Sequence, residues 1–135
     1  MDERQPGVRG RNGEDLDVFV RAYALSLDLH HASLRFPKIE QYAGLADQLR
    51  RSSKSVCSLI IEGAGRQSGS SREFARYLVM AVGSAEEARL WCRYAVDLGY
   101  VEIGQAEVWR NELRHIIRMM QGLRSSMERQ SPSDH

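Results

Sequence analysis

Residues 48–84 read QLRRSSKSVCSLIIEGAGRQSGSSREFARYLVMAVGS. This stretch predicts a helix, a glycine-rich reversal and a second helix, because Gly63, Gly65 and Gly69 separate two segments with helical spacing of apolar residues. A glycine-rich loop before a helix can also hold phosphate. No strand signal precedes this loop and no Gly-Lys-Ser/Thr closes it, so the reversal reading is favoured.

The start of the second helix carries a capping signal. Ser70 and Glu73 form an S-x-x-E capping box, in which each side chain satisfies a backbone N–H group at the helix start. The first helix of the pair is therefore predicted to end near Ala64, and the second to begin near Ser71.

The hairpin and its flanks also carry a set of residues typical of one family: Gln48, Leu49, Arg50, Arg51, Ser55, Ile60, Glu62, Gly63, Gly65, Arg66, Ser68, Glu73, Phe74, Tyr77, Leu78, Ala81, Gly83, Ser84, Glu86 or Glu87, Leu98, Gly99 and Tyr100. This set resembles the bacterial four-helix bundle proteins that include products of intervening sequences within large-subunit ribosomal RNA genes. Accessory proteins of diversity-generating retroelements look like relatives. The resemblance covers about residues 16–128. Cys57, Leu59 and Ile61 stand where the family commonly has proline, asparagine and alanine. Without the proline, the helix is expected to be straighter.

The bulk properties suit one domain. The chain has 135 residues, enough for a single core without disulfides or metal. Its 19 basic and 18 acidic residues give a net charge of +1, so any electrostatic function requires local clustering.

The domain prediction is a bundle at residues 14–129 with disordered tails at 1–13 and 130–135. The first tail is charged and glycine-rich, unlike a signal peptide. No later run is apolar enough to span a bilayer, so a cytoplasmic protein with no membrane partner is expected.

The first helix, predicted over residues 15–34, has two apolar stripes. One stripe is predicted to face the core and comprises Leu16, Phe19, Val20, Tyr23, Leu27 and Leu34. The opposite stripe comprises Val18, Ala22, Leu25, Leu29 and Ala32. A bundle helix needs one buried face, so the opposite stripe predicts a subunit interface, with scattered surface residues as the alternative.

Three further helices are predicted, over residues 40–64, 71–98 and 105–128. Their predicted core residues are Tyr42, Leu45, Ala46, Leu49, Ser53, Val56, Cys57 and Ile60, then Phe74, Tyr77, Leu78, Ala81, Ala85, Ala88, Cys92 and Ala95, then Val108, Trp109, Leu113, Ile116, Ile117, Met120, Leu123 and Met127. Gly99 is a predicted helix C-cap. Four long helices joined by short links predict an all-α, up-down-up-down antiparallel four-helix bundle.

Histidine and carboxylate pairs invite a di-iron interpretation. Asp28 with His31 and Glu112 with His115 have suitable spacing, and Glu62 and Glu87 are further candidate ligands. At 1.5 Å per residue, however, His31 lies about 5 Å, His115 about 15 Å and Glu62 about 33 Å from one end of the bundle. Neither metal nor cofactor is therefore expected.

The helical rise of 1.5 Å per residue also places the two cysteines far apart. Cys57 lies roughly 10 Å and Cys92 roughly 33 Å from the hairpin end, beyond disulfide reach. Both are predicted to be core thiols. No serine or cysteine nucleophile has a clearly placed histidine partner, so the chain is predicted not to be an enzyme.

Two function classes remain. A nucleic-acid-binding protein is suggested by six basic residues between positions 50 and 76: Arg50, Arg51, Lys54, Arg66, Arg72 and Arg76. Over the same segment there are two acids, Glu62 and Glu73, so a merely solvated charged face is the competing interpretation. The alternative is a protein-protein interaction scaffold without a nucleic-acid role.

The spare apolar surface predicts a homo-oligomer. The predicted interface residues are Val18, Ala22, Leu25 and Leu29 from the first helix, with Met80 and Trp91 from the third. The third helix also carries Tyr94 and Leu98 on this shoulder. The family resemblance implies a ring of five subunits, with RNA or an RNA–DNA hybrid and a cognate enzyme such as a reverse transcriptase as possible partners.

Overall fold

The computed structural model describes residues 13–65 and 70–130. Four α-helices occupy most of these ranges: α1 (Asp17–Ser33), α2 (Leu45–Gly65), α3 (Ser71–Asp97) and α4 (Ile103–Gln130). Short 3-10 helices lie at Gly13–Asp15 and Lys38–Glu40, and no strand occurs in the described ranges. The predicted disordered tails fall almost entirely outside these residues, so they remain predictions.

The helices form a four-membered bundle. Each helix packs against its neighbour in the chain, and α1 also packs against α4. Within the described residues, the backbones of the diagonal pairs α1 and α3, and α2 and α4, do not approach each other. The four helices thus enclose one core, and the predicted all-α four-helix bundle is confirmed.

The helix α3 has one apolar face, and its orientation was predicted correctly. All of the residues predicted to point inward are buried: Phe74, Tyr77, Leu78, Ala81, Ala85, Ala88, Cys92 and Ala95. Most of these side chains are small, so α2 and α4 can both pack closely against α3.

Both ends of α3 follow the predicted capping chemistry. The Ser70 hydroxyl oxygen accepts hydrogen bonds from the N–H groups of Arg72 (3.1 Å) and Glu73 (3.2 Å). At the other end, Gly99 has a φ of 81°, and the Tyr100 N–H group donates to the Ala95 carbonyl (2.8 Å). This arrangement is a Schellman motif, in which glycine adopts the left-handed conformation at low cost.

Gly63 lies inside α2, where it allows a close helix crossing. A Cβ atom at this position would lie 2.6 Å from the Tyr77 Cβ and 3.0 Å from the Phe74 Cδ1. The helix continues through Gly63 to Gly65, which agrees with the predicted end near Ala64, but Gly63 itself lies in the helix and not in the reversal to which it was assigned. Packing against α3 stabilises this last turn of α2, so the helix continues although glycine has a low helix propensity. Gly69 lies outside the described residues.

The helix α2 begins five residues later than predicted. Ala43 has a left-handed φ of 59°, which interrupts the helix, and Glu40 Oε1 accepts a hydrogen bond from the Leu45 N–H group (2.7 Å). Tyr42 therefore lies in a turn and is 86% exposed, so its predicted place in the core was wrong.

The two stripes of α1 are reversed relative to the sequence prediction. The stripe predicted to form a subunit interface is buried in the core of this subunit: Val18, Ala22, Leu25, Leu29 and Ala32. Four residues predicted to face the core are instead 42–56% exposed: Val20, Tyr23, Leu27 and Leu34. Leu16 is buried as predicted, and Phe19 packs partly against the core.

Polar contacts accompany the observed orientation of α1. Ser26 and Ser33 are buried beside the core stripe, and their hydroxyl groups donate to the carbonyls of Tyr23 (2.8 Å) and His30 (2.7 Å). On another side of α1, the Arg21 Nη2 atom donates to Glu112 Oε1 at 2.8 Å, which joins α1 to α4.

The proposal of Val18, Ala22, Leu25 and Leu29 as interface residues was wrong, because these side chains are buried within one subunit and have no surface to offer another.

In α4, Val108 was predicted to lie in the core, and this prediction was wrong. It is 63% exposed and lies at the edge of the core face, beside Val20 in a groove between α1 and α4. Trp109, Leu113 and Ile116 occupy the core, as predicted.

Two glycine-to-alanine substitutions test the role of the α2–α3 crossing. We expect Gly63→Ala to destabilise the protein by about 1–3 kcal/mol, because the added methyl group would overpack against Tyr77. The matched variant Gly83→Ala has no atom within 4 Å of the new Cβ, and should stabilise α3 by about 0.5–1 kcal/mol. Urea denaturation measures both. Equal shifts of the two midpoints would contradict the close-crossing explanation.

Candidate nucleic-acid interface

The six predicted basic residues do not form one continuous surface. Arg50, Arg51 and Lys54 lie in the first half of α2, whereas Arg72 and Arg76 lie in the first two turns of α3. Since α2 continues for eleven residues after Lys54, the two groups are separated by about 15–20 Å along the bundle. Arg66 lies outside the described residues. The structure thus defines two basic regions, at opposite ends of the α2–α3 hairpin.

Arg50 is committed to the connection between α1 and α2. Its Nη1 atom donates to the Ser33 hydroxyl (2.7 Å) and to Gln41 Oε1 (3.1 Å), and its Nη2 atom donates to the Gln41 carbonyl (2.9 Å). The Gln41 amide in turn donates to the carbonyls of Ser33 (2.8 Å) and Phe36 (3.0 Å). Arg50 is therefore a structural residue. Its side chain is half-buried, so its charge is less available to a ligand than the sequence analysis predicted.

Lys54 also faces α1, where it meets a histidine. Its ammonium group donates to His30 Nδ1 at 3.1 Å. Burial and the nearby charges of Lys54, Arg50 and His31 lower the pKa of His30. The imidazole is therefore neutral at neutral pH, and the positive charge at this place belongs to Lys54.

Arg51 is the most accessible of the three basic residues in α2. Its side chain is 75% exposed, and its Nε atom lies 3.0 Å from Asp47 Oδ2 one turn earlier. An exposed ion pair of this spacing contributes little free energy, so a phosphate could replace Asp47 as its partner.

The connection between α1 and α2 adds basic residues that the sequence argument missed. Lys38 and Arg35 are both exposed, and they belong to the segment that Arg50 holds in place. Arg35 instead lines a groove of about 580 Å³ together with Trp109 of α4 and residues of the connection between α3 and α4. We define the connection cluster as Lys38, Arg50, Arg51 and Lys54. The 3-10 helix that carries Lys38 packs against α2, so chain reversal brings it to the end of the bundle where α2 begins.

Glu40 ties the two loops at this end of the bundle together. Its Oε1 atom accepts from the Leu45 N–H group and its Oε2 atom accepts from the Tyr100 hydroxyl (2.7 Å). The hydrogen bond from the Leu45 N–H group lowers the pKa of Glu40 most, and the bond from the Tyr100 hydroxyl lowers it further. The phenol of Tyr100 also packs its ring against Phe36, with centroids 5.3 Å apart. Glu40 is thus bonded to neutral donors and not to a cation of the connection cluster, whereas Asp47, the other acid of this region, pairs with Arg51.

The second basic region, at the start of α3, is more nearly balanced. Arg76 Nη2 lies 2.7 Å from Glu73 Oε2, and its guanidinium lies 5.3 Å from the centre of the Tyr77 ring. The hydrogen bond and charge of Glu73 raise the pKa of Arg76. Arg72 is exposed beside this pair. With one acid among these cations, the region presents less net positive charge than the connection cluster.

A third group of arginines follows α4. Arg114 and Arg118 are exposed, while Arg110 is half-buried against α3. The Nε atoms of Arg110 and Arg89 are both buried and have no hydrogen-bond partner. Burial raises the pKa of the Cys92 thiol to about 12, and the charges of Arg110 and Arg89 oppose this shift only in part.

The cysteine and serine side chains are poor candidates for nucleophiles. Cys57 and Cys92 are buried and unbonded to each other. Burial raises the pKa of Cys57 as well, so neither thiol ionises readily at neutral pH. The hydroxyl groups of Ser52, Ser53 and Ser58 donate to backbone carbonyls three residues earlier. These serines have local structural roles.

The candidate metal ligands also have other partners. Glu112 forms the bidentate pair with Arg21 in place of a metal contact with His115. Among residues 13–65 and 70–130, no group of three histidine, cysteine or acidic side chains could hold a metal ion. In the same ranges no helix is long and apolar enough to cross a membrane.

The outward apolar surface falls on two helices. On α1, Tyr23 and Leu27 line a groove with Ile61 and Cys57 of α2, with a volume of about 660 Å³. On α3, Met80 is 38% exposed and is accompanied by other exposed side chains: Val79, Leu90, Tyr94 and Leu98. Trp91 is partly buried, and its indole N–H donates to Glu87 at 3.3 Å.

These features define a class of protein: an all-α four-helix bundle with basic and apolar surfaces and no recognisable catalytic constellation in its described part. The sequence matches the model of the 23S rRNA-intervening sequence protein family over residues 14–122, so the chain belongs to that family. The resemblance stated from the hairpin residues is thereby confirmed.

A solved structure shows the same fold. It is that of a protein with unknown function from the S23 ribosomal protein family from Bacteroides thetaiotaomicron VPI-5482, with a TM-score of 0.71. The match covers 80% of this chain and 95% of that chain, at 18% sequence identity, so the likeness concerns the fold alone. No curated protein sequence matches the chain.

Neighbouring arginines provide a matched test of the two roles found in α2. We expect Arg50→Ala to destabilise the protein by about 1.5–3 kcal/mol, because it leaves Ser33 and Gln41 without a charged donor. Arg51→Ala removes one exposed ion pair and should cost less than about 0.5 kcal/mol. Thermal and urea unfolding measure both effects. A similar small change for both variants would show that the Arg50 network is dispensable.

Proposed function

We propose that this chain is a non-enzymatic homo-oligomer that binds RNA or another nucleic acid through phosphate contacts. The observation that carries the proposal is the connection cluster, in which four basic residues lie in the first half of α2 and in the preceding segment that packs on it. Two acids accompany them, Glu40 and Asp47, which leaves an excess of positive charge. Phosphate contacts of this kind position a backbone without reading base sequence.

The family supports the same direction. Its members are described as 23S rRNA-intervening sequence proteins, a name that links them to ribosomal RNA genes. That link is an association and specifies no mechanism. The physical support for nucleic-acid binding comes from the exposed cations Lys38, Arg51 and Lys54.

The proposed assembly uses the two outward apolar faces. The α1 face, defined as Val20, Tyr23, Leu27 and Leu34, differs from the α3 face, defined as Met80, Leu90, Trp91, Tyr94 and Leu98. When one surface of a subunit meets a different surface of the next, the contact is heterologous and can close into a ring. The family resemblance implies five subunits. A ring would repeat each weak phosphate site once per subunit and strengthen binding by multivalency.

The second candidate function is a protein interaction scaffold, in which the apolar faces bind a cognate enzyme such as a reverse transcriptase. The observation in its favour is the number of large apolar side chains left exposed on α1 and α3. A reverse-transcriptase gene beside the gene for this chain would favour such a partner. An assembly that forms without any nucleic-acid affinity would favour the scaffold.

Charge insertion on α1 tests the assembly. We expect Leu27→Glu to dissociate the oligomer while each subunit stays folded, because Leu27 is 42% exposed on the α1 face. Ile103→Glu, on an exposed residue at the start of α4 outside both faces, is the matched control and should leave the assembly intact. Light scattering coupled to size exclusion gives the mass. A wild-type monomer at micromolar concentration would refute the assembly.

Salt dependence tests the phosphate contacts. We expect affinity for RNA duplex or RNA–DNA hybrid to fall steeply between about 50 and 200 mM salt. A Lys38→Glu, Arg51→Glu, Lys54→Glu variant should bind more weakly and with a shallower slope, by roughly 0.7–0.9 in log–log units for each phosphate that the variant no longer neutralises. Arg50 is left unchanged because of its structural role.

The matched control for charge reversal is Arg114→Glu with Arg118→Glu, on the exposed side of α4. This variant should bind more tightly than the triple variant. If the wild-type protein binds no nucleic acid at low salt, or if the triple variant binds equally well while still oligomeric, the cluster is a solvated face and the scaffold function takes its place.

A further inference from the structure

The least buried of the large apolar side chains in the described residues is Tyr42. It is 86% exposed, and Ile39, three residues earlier, is 84% exposed. Single exposed apolar residues are common on protein surfaces. Tyr42 differs from that ordinary case because its position is determined by a well-bonded turn and because basic residues precede and follow that turn in the chain.

The backbone on both sides of Tyr42 is tightly constrained. Gln41 is held by Arg50 and by the carbonyls of Ser33 and Phe36. On the other side, Ala43 adopts a left-handed φ of 59°. The turn thus presents the ring from a fixed base, which reduces the entropic cost of ordering it around a ligand.

The turn is packed equally closely at Gly44. A Cβ atom there would lie 2.6 Å from the Glu40 Cα and 2.8 Å from the Glu40 carbonyl oxygen. Glu40 is itself bonded to Leu45 and Tyr100. The path of the chain past Tyr42 is therefore set by contacts on both sides of the residue.

Basic residues outnumber acidic residues by three to two in the segment around the turn, residues 38–51. The Arg50 guanidinium donates to the Gln41 carbonyl, one peptide bond away from Tyr42. Lys38 is exposed in the preceding 3-10 helix, and Arg51 is exposed in α2. Two acids lie in the same segment: Asp47 pairs with Arg51 across an exposed contact, and Glu40 accepts hydrogen bonds from Leu45 and Tyr100.

An exposed aromatic ring among cations is the combination that binds unpaired nucleotides. The ring stacks on a base and the cations contact the flanking phosphates. In a duplex, the bases are already stacked on each other and their faces are inaccessible. The same cations can contact duplex phosphates, but the ring then contributes little.

We propose that Tyr42 is a stacking platform for an unpaired base, with Lys38 and Arg51 contacting the adjacent phosphates. This inference rests on the proposed nucleic-acid function and deepens it, because it selects single-stranded segments and loops as the ligand class. Stacking tolerates any base, so it requires no sequence-specific readout.

The experiment compares an oligoadenosine RNA with a blunt RNA duplex carrying the same number of phosphates. Tyr42→Ala should weaken binding of the single strand by at least about fivefold, the low end of the effect of removing one stacked aromatic ring. Binding of the duplex should change by less than about twofold. Fluorescence anisotropy with labelled RNA gives both affinities.

Two conservative variants separate stacking from other contacts. Tyr42→Phe keeps the ring and should bind as the wild-type protein does. Tyr42→Leu keeps apolar bulk without a ring and should bind as weakly as Tyr42→Ala. Equal binding by Tyr42→Leu and wild type would overturn stacking, as would an equal weakening of single-strand and duplex binding.

The two proposals fail in different ways. If wild-type protein binds neither RNA, the proposed function fails and this inference fails with it. If the wild type binds and Tyr42→Ala binds the single strand equally well, only the stacking inference is overturned. Tyr42→Ala is also checked by light scattering, because a change of assembly would show that Tyr42 belongs to a subunit contact, and would refute its role as a stacking platform.

Discussion

The bundle depends on the close packing of α2 and α4 against the small-residue face of α3. Alanine at positions 81, 85, 88 and 95 brings the neighbouring helices near to the α3 backbone, and these four side chains are completely buried. At one end of the α2 contact, Gly63 allows an approach that no Cβ atom would permit. Since α1 packs only on α2 and α4 among the long helices, its position follows from theirs.

The arginines have two kinds of role. Some hold elements of the fold together, and others are exposed and can contact a ligand. Arg50 and Arg21 each make two or more hydrogen bonds that join different elements of the fold. Arg51, by contrast, makes only an exposed contact one turn away. A count of positive residues along the chain treats these side chains alike. The structure distinguishes Arg50 in particular, because its guanidinium bonds to the buried Ser33 and to Gln41 and cannot leave them for phosphate without a large cost, whereas the Arg21–Glu112 pair is exposed.

The end of the bundle where the α1–α2 and α3–α4 connections meet carries unusually specific contacts. Arg50, Gln41 and Glu40 connect these segments through side-chain hydrogen bonds. The same end holds the exposed Tyr42 and Lys38. A connection needs no such network merely to join two helices, so these hydrogen bonds are consistent with a surface that presents particular side chains.

The sequence alone determined the helix count, the bundle class, the family and most of the core. Ser70 and Gly99 marked the ends of α3 because capping depends on local backbone chemistry. The buried face of α3 was predictable because that helix has one dominant apolar stripe around Phe74, Leu78 and Ala81.

Only the tertiary structure decided three other matters. The rotation of α1 could not be read from periodicity, because Leu25 and Leu27 belong to two apolar stripes of similar strength. Tyr42 fits the helical spacing of α2, and the left-handed Ala43 that excludes it from the helix has no signal of its own in the sequence. The role of Arg50 depends on Ser33 and Gln41, 17 and 9 residues away along the chain. Such contacts arise only when the chain reverses direction, since local spacing contains no information about which distant atoms a side chain meets.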